Sequence, residues 1–137
     1  IPLQFLALIK NINFSRVKPS KEMISALKVI NDHLEKYPEP IESQIRSARE
    51  IAASEWFRIS STEKANPDDV EDYLDNFEEL SWDLLTFIVN MYDTNGNMAM
   101  HYAVSHGNFD VVSILLDSKV SFVKIPKLCL KLSFVGL

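Results

Sequence analysis

The chain has 137 residues, of which 47% are hydrophobic and 24% charged, so it carries enough apolar material for one folded domain. Its single cysteine, Cys129, excludes an internal disulfide framework and fits a reducing compartment. No run of 18 apolar residues is free of charge, and the first ten residues lack the basic region of a signal peptide. Neither a membrane span nor a secretion signal is therefore expected.

The net charge of −5 is distributed unevenly along the chain. Residues 1–20 carry +3, residues 21–118 carry −12, and residues 119–137 carry +4. Residues 65–118 contain 11 acidic side chains and neither lysine nor arginine. Such a body repels nucleic acid and attracts basic partners. A solvated acidic surface that only aids solubility is the alternative interpretation, and the charge pattern alone leaves both open.

Two helices are predicted in the first half of the chain. The first starts after Ser20, which suits an N-cap, and stops at the Tyr37-Pro38-Glu39-Pro40 stretch. The second is expected from about Ile41 to Arg58. Both show apolar residues at helical spacing. In the first helix these are Met23, Leu27, Ile30 and Leu34, and in the second they are Ile41, Ile45, Ala48, Ala52 and Trp56.

Two further helices are predicted before residue 92. Asn66 can cap the third, Pro67 suits its first position, and two aspartates follow where the helix dipole favours negative charge. Ser81 is expected to cap a fourth, from Trp82 to about Met91, which is apolar on most sides and should be buried. The aromatic residues of this half are most simply core: Trp56, Phe57, Tyr73, Phe77 and Trp82.

A turn followed by two short helices is predicted from residue 93 to residue 118. Asp93-Thr94-Asn95-Gly96 reads as the turn, and 99–105 and 109–117 read as the helices, with Gly107 at the break between them. This order resembles one ankyrin repeat. The residues in register with that pattern are Asp93, Gly96, His101, Ala103, Gly107, Val112, Leu115 and Leu116. The second helix is expected to bury its apolar residues Val111, Val112, Leu115 and Leu116.

Three positions depart from the ankyrin pattern. Met98 stands where the family has threonine, so no hydroxyl is present to hold His101. Met100 replaces the usual leucine, which is a mild change. Lys119 stands where a glycine closes the second helix, and a left-handed conformation there would cost about 1 kcal/mol.

A closer resemblance is carried by four segments, which are SEWFRISS (54–61), VEDYLDNFEEL (70–80), LLTFIVNMYD (84–93) and GNMAMHYAVSHGNFDVVSILLDS (96–118). Together they resemble the Kank family of proteins with a KN motif and ankyrin repeats. The resemblance implies that helices precede and cap the first repeat. No segment of this chain matches that family's talin-binding motif, its coiled coil or a second repeat, so a partial or truncated product is expected.

The expected fold is therefore all-α, with a helical capping region followed by one ankyrin-type repeat. The predicted divisions are an N-terminal segment of uncertain structure (1–19), the capping region (20–92), the repeat (93–118) and an atypical basic-apolar tail (119–137). The tail could bind a membrane weakly, pack in the groove that a second repeat would fill, or be an unselected and aggregation-prone end. The last two interpretations are favoured.

No catalytic, metal or cofactor site is predicted. His101 and His106 are five residues apart and share no helical face, so His101 is interpreted as the structural ankyrin histidine. His33 is interpreted as a surface residue, and Cys129 as an unactivated thiol. Acidic pairs such as Asp68 with Asp69 are better explained by helix starts and solvated faces than by acid–base chemistry.

Partner binding is instead predicted on the turn and inner helix of the repeat. Tyr102 and Ser105 lie three residues apart on one helical face, and Asp93 and Asn95 lie on the adjoining turn. An equally weighted alternative is that Tyr102 only covers the neighbouring helix. An acidic groove with one aromatic side chain would suit a basic or amphipathic peptide.

The Kank resemblance implies more specific properties. It implies a cytoplasmic, cytoskeleton-associated adaptor that restrains actin polymerisation and binds a kinesin peptide through its ankyrin domain. The alternative is a largely structural fragment with little binding of its own, since fewer than about three stacked repeats usually fold poorly.

Overall fold

The computed structural model describes residues 16–118 and residue 120. These residues form six α-helices and no β-strand, which confirms the predicted all-α class. We number the helices in chain order. They are α1 (Lys21–Lys36), α2 (Glu42–Ser60), α3 (Pro67–Leu80), α4 (Trp82–Val89), α5 (Ala99–Ser105) and α6 (Phe109–Asp117). The predictions for Lys119, for Cys129 and for the rest of the tail, like those for residues 1–15, lie outside the described residues.

Most helix starts follow from local side-chain chemistry. Ser20, Asn66, Ser81 and Asn108 each accept a hydrogen bond from a backbone N–H in the first turn that follows. The first three are the caps that the sequence predicts. Because the first amides of a helix have no partner within it, each such bond fixes where the helix begins.

The bounds of two helices differ from the predicted ones by one or two residues. Helix α2 begins at Glu42 and continues to Ser60, where the Ser60 hydroxyl bonds to the Trp56 carbonyl oxygen at 2.7 Å. Helix α4 ends at Val89 instead of Met91. The side-chain amide of Asn90 there donates to the carbonyl oxygen of Thr86, and the backbone leaves the helical course. Neither end carries a glycine or proline signal in the sequence.

The two helices of the repeat pack against two different earlier helices. Helix α5 contacts α2, and α6 contacts α3, while α5 and α6 also pack against each other. Helix α4 lies against α1, α2 and α3. The pair that supports the repeat is therefore α2 with α3, and α1 covers α4.

One apolar cluster joins all six helices. It runs from Met23 in α1 to Val120 after α6, and contains the fully buried Trp56 and Phe77, whose ring centroids are 5.5 Å apart. Helix α4, which the sequence predicts to be buried, places Leu84, Leu85, Ile88 and Val89 in the core. Burial of this kind is the main source of stability for short helices.

Three burial predictions are wrong. Trp82 is 48% exposed because it occupies the first position of α4, where its side chain lies beside α3 instead of beneath it. Leu116 is 41% exposed because α6 turns Val111, Val112 and Leu115 towards the core and Leu116 away from it. His33, expected at the surface, is buried: its Nε2 accepts the Ile41 N–H at 2.8 Å.

His33 also explains how α1 connects to α2. Its ring packs against Tyr37 with centroids 4.6 Å apart, and its bond to Ile41 closes the proline-containing turn. His33 thereby supplies the acceptor for a backbone amide that lies just before α2.

A carboxylate ties the segment before α1 to α2 and α3. Glu55 accepts hydrogen bonds from the backbone N–H and the hydroxyl of Ser20 and from the Tyr73 hydroxyl. Burial raises the pKa of Glu55, but the hydrogen bonds from Ser20 and Tyr73 outweigh it, and the net pKa is lowered. Burial, followed by the bond to Glu55, raises the pKa of Tyr73 to about 12.

Replacing Ser81 with alanine tests the junction between α1 and α4. The Ser81 hydroxyl accepts the Leu84 N–H at 3.0 Å and donates to Asn31 Oδ1 at 2.6 Å. We expect Ser81→Ala to lower the free energy of unfolding by about 2 kcal/mol in urea titration, since both a cap and a partner of the buried Asn31 are lost. The exposed Ser54→Ala in α2 is the control, with an expected change below about 0.5 kcal/mol. Equal effects would contradict this role of Ser81.

Candidate functional site

The turn that opens the repeat is closed by backbone hydrogen bonds at both ends. The Asp93 N–H donates to the Asn97 carbonyl oxygen at 2.9 Å, and the Gly96 N–H donates to the Asp93 carbonyl oxygen at 3.0 Å. Gly96 has a φ of 77°, a conformation that costs other residues about 1 kcal/mol or more. The sequence pattern of this turn therefore corresponds to a defined, internally bonded loop.

The Asp93 carboxylate organises the same turn from within. Its Oδ1 accepts the Asn95 N–H at 2.9 Å and the Asn97 N–H at 3.0 Å, and its Oδ2 accepts the Tyr102 hydroxyl. Burial raises the pKa of Asp93, but the bonds from Tyr102, Asn97 and Asn95 outweigh it and the net pKa is lowered. Asp93 thus holds the turn against α5, and its carboxylate already accepts three hydrogen bonds from groups of this chain.

Tyr102 lies between the turn and α2. Its ring meets Phe57 edge-on at 6.2 Å and lies parallel to His106 at 6.4 Å, and its hydroxyl bonds Asp93. The side chain is half-buried, so it covers the neighbouring helix while part of it faces solvent. Both interpretations considered for Tyr102 are therefore compatible with its position.

The four predicted partner-binding residues differ in accessibility. Asn95 and Ser105 are exposed, whereas Asp93 and Tyr102 are half-buried and bonded to each other. Asn95 follows Asp93 in the turn, and Ser105 is one helical turn beyond Tyr102. The groups free to meet a partner are thus the Asn95 amide and the Ser105 hydroxyl, beside the open part of the tyrosine ring.

His101 closes the start of α5 through the backbone. Its Nδ1 accepts the Met98 N–H at 2.8 Å, so the missing threonine hydroxyl at position 98 does not leave the imidazole without a partner. The ring is half-buried, 6.5 Å from the Tyr92 ring. Burial lowers the pKa of His101, and the nearby negative charge of Asp93 only partly opposes this. The neutral ring, with its proton on Nε2, is the form that this bond requires.

The remaining ankyrin-pattern residues occupy the break and the core. Gly107 has a φ of 67° between α5 and α6, and Ala103 and Leu115 are buried. Leu116 is the exception described above. These positions shape the helix pair and present no chemistry to a ligand.

Two polar links to α2 and to the loop before α3 are absent from the sequence prediction. Arg49 Nη2 in α2 donates to the Tyr92 carbonyl oxygen at 2.8 Å, and Asn108 Nδ2 donates to the Ala65 carbonyl oxygen at 3.0 Å. The sequence offered one indirect signal for Arg49. Residues 65–118 contain neither lysine nor arginine, so a cation that bonds a carbonyl oxygen just beyond α4 comes from another segment. No local pattern points to the bond between Asn108 and Ala65.

Among the residues that the structure describes, no three His, Cys, Asp or Glu side chains are grouped so that they could hold a metal ion. Within the same residues, no helix combines the length and the apolar composition that crossing a membrane requires.

A family model described as ankyrin repeats (many copies) matches residues 64–116. The match includes α3 and α4 as well as the helix pair predicted at 93–118, and it fits the helix-turn-helix arrangement of α5 and α6. Ankyrin repeats are non-enzymatic domains that bind other proteins. This region is therefore similar to a protein–protein interaction module.

Protonation of His101 should weaken the fold at mildly acidic pH. Because its pKa is lowered by folding, its stabilising bond is present above about pH 6.5 and is lost as the pH falls through the lower folded value. We expect the wild-type chain to lose more stability than His101→Asn between about pH 7 and pH 5, since asparagine can keep an acceptor there without titrating. Urea unfolding at each pH measures this. A pH profile for His101→Asn identical to that of the wild type would contradict the assignment.

Proposed function

We propose that the chain is a protein–protein interaction module that binds a basic or amphipathic peptide at the start of its repeat. The proposed contact surface consists of Asn95 on the turn and Ser105 on α5, with the exposed part of Tyr102 between them. Asp93 acts mainly by fixing the turn and by lending negative charge to this surface.

The observation that carries this proposal is the preorganised turn. Because Asp93 and Gly96 fix the loop internally, Asn95 is presented without the ordering cost that a free loop would incur on binding. The 11 acidic residues between 65 and 118, without a lysine or arginine among them, favour a cationic partner. The similarity of residues 64–116 to ankyrin repeats supports a protein partner.

We further propose a role of the Kank type. The support is the resemblance of residues 54–61, 70–80, 84–93 and 96–118 to that family. On this proposal the protein is a cytoplasmic, cytoskeleton-associated adaptor that restrains actin polymerisation, and its peptide partner comes from a kinesin motor. The negative charge of residues 65–118 suits a kinesin segment that is rich in lysine or arginine.

A titration with a basic kinesin-derived peptide tests the proposal. Asn95→Lys with Ser105→Lys places two positive charges on the surface, leaves the backbone bond from residue 95 to Asp93 intact, and should weaken binding about 10-fold or more. The control is Ser25→Lys with Ser43→Lys, two exposed sites on α1 and α2, with an expected loss below about 3-fold. Calorimetry measures both, after circular dichroism shows that the variants melt like the wild type.

Two results would contradict this assignment. Equal weakening by both double variants would show that only net charge matters. A folded wild-type chain that does not bind the peptide would favour the structural alternative, in which α5 and α6 are scaffold.

A further inference from the structure

A second surface of the molecule, between α3, α4 and α6, forms a groove open to solvent. The groove has a volume of about 380 Å³. Its apolar lining includes Leu85 from α4 and Ile114 from α6, and Trp82 stands on its wall with 48% of its surface exposed. Tryptophan is enriched at the energetic centres of protein interfaces, and here it lies half exposed beside the buried Leu85 and the half-buried Ile114.

Carboxylates surround this apolar floor. Glu71 and Glu78 from α3 and Asp117 from α6 line the groove and are exposed. Within the described part of the chain, none of the three has an ion-pair partner within 4.0 Å. Asp75, also in the lining, is 4.0 Å from Arg16, so one cation already lies beside one acid of the groove. Among residues 16–118, the acids of the groove without an ion-pair partner are therefore Glu71, Glu78 and Asp117.

We propose that this groove binds a basic segment of a partner protein, with an arginine or lysine against Trp82 and an adjoining apolar side chain over Leu85 and Ile114. A cation over an indole face is attracted by the ring, and an arginine there can also bond carboxylates of the rim. The same carboxylates repel the phosphates of nucleic acids and of anionic lipid surfaces. Charge and shape together select a cationic peptide.

This surface is separate from the one in the proposed function. The groove does not include any residue of the turn at 93–97, nor Tyr102 or Ser105, and Tyr102 packs against Phe57 of α2. A failure of either surface to bind therefore leaves the other untouched, and variants at one surface serve as controls for the other.

The test uses the full chain and a short amidated peptide built from repeats of Arg-Leu-Ala-Lys, with a peptide in which glutamate replaces both basic residues as the control. Binding of the basic peptide should shift Trp82 emission to shorter wavelength, while the fully buried Trp56 contributes a constant background.

Calorimetry then compares two double variants that each remove one Asp and one Glu charge. Glu78→Gln with Asp117→Asn should weaken binding at least about 5-fold, and the exposed pair Asp32→Asn with Glu39→Gln should change it less than about 2-fold.

Each other outcome would overturn the proposal. Equal weakening by the two double variants would mean non-specific attraction, and no binding of the basic peptide would exclude this occupant. Loss of affinity in Asn95→Lys with Ser105→Lys but not in the groove variants would place the peptide on the other surface. Sedimentation would show whether the chain forms dimers as its concentration rises. If Trp82→Lys abolishes such dimers, the occupant of the groove is a second copy of the chain. Trp82→Lys suits this test because Trp82 is half exposed, so its replacement disturbs little of the core.

Discussion

A pair of short helices cannot bury its own apolar face, and this constraint governs the architecture. Helices α5 and α6 have seven and nine residues, too few to be stable alone in water. Their buried side chains join the cluster built by α1 to α4, with α5 against α2 and α6 against α3. The repeat is thus supported by two helices that are consecutive in the chain and both belong to the predicted capping region. Helix α4, inserted after them, is covered by α1.

Polar contacts position the repeat on that support. Apolar packing is non-directional, whereas hydrogen bonds fix one arrangement of the packed helices. Asn108 holds the loop between α5 and α6 over Ala65, and Arg49 holds the end of the α4 connection at Tyr92. The Asp93 carboxylate then anchors the turn to Tyr102. The proposed contact surface is a consequence of these three attachments, because they determine where Asn95 and Ser105 face solvent.

Features decided within one helical turn could be predicted from the sequence. Ser20, Asn66 and Ser81 cap helices as expected, because a cap depends on the residue and its immediate neighbours. Features decided by packing between distant segments could not. Leu116 fits the apolar spacing yet faces away from the core, and His33 looks like a surface residue yet satisfies the amide of Ile41. At the candidate site, Asp93 and Gly96 predicted the turn. No sequence pattern predicted the hydrogen bond that the Tyr102 hydroxyl donates to Asp93.

The most direct test of this account is native-state hydrogen exchange in the variant Asn66→Ala. Asn66 caps α3 through the Asp68 N–H at 2.8 Å, and its loss should destabilise α3 by about 1 kcal/mol. If α5 and α6 depend on α2 and α3, their most protected amides should lose about the same free energy of opening as those of α3. Unchanged protection in α5 and α6, with reduced protection in α3, would contradict the claim that the repeat is held by the helices before it.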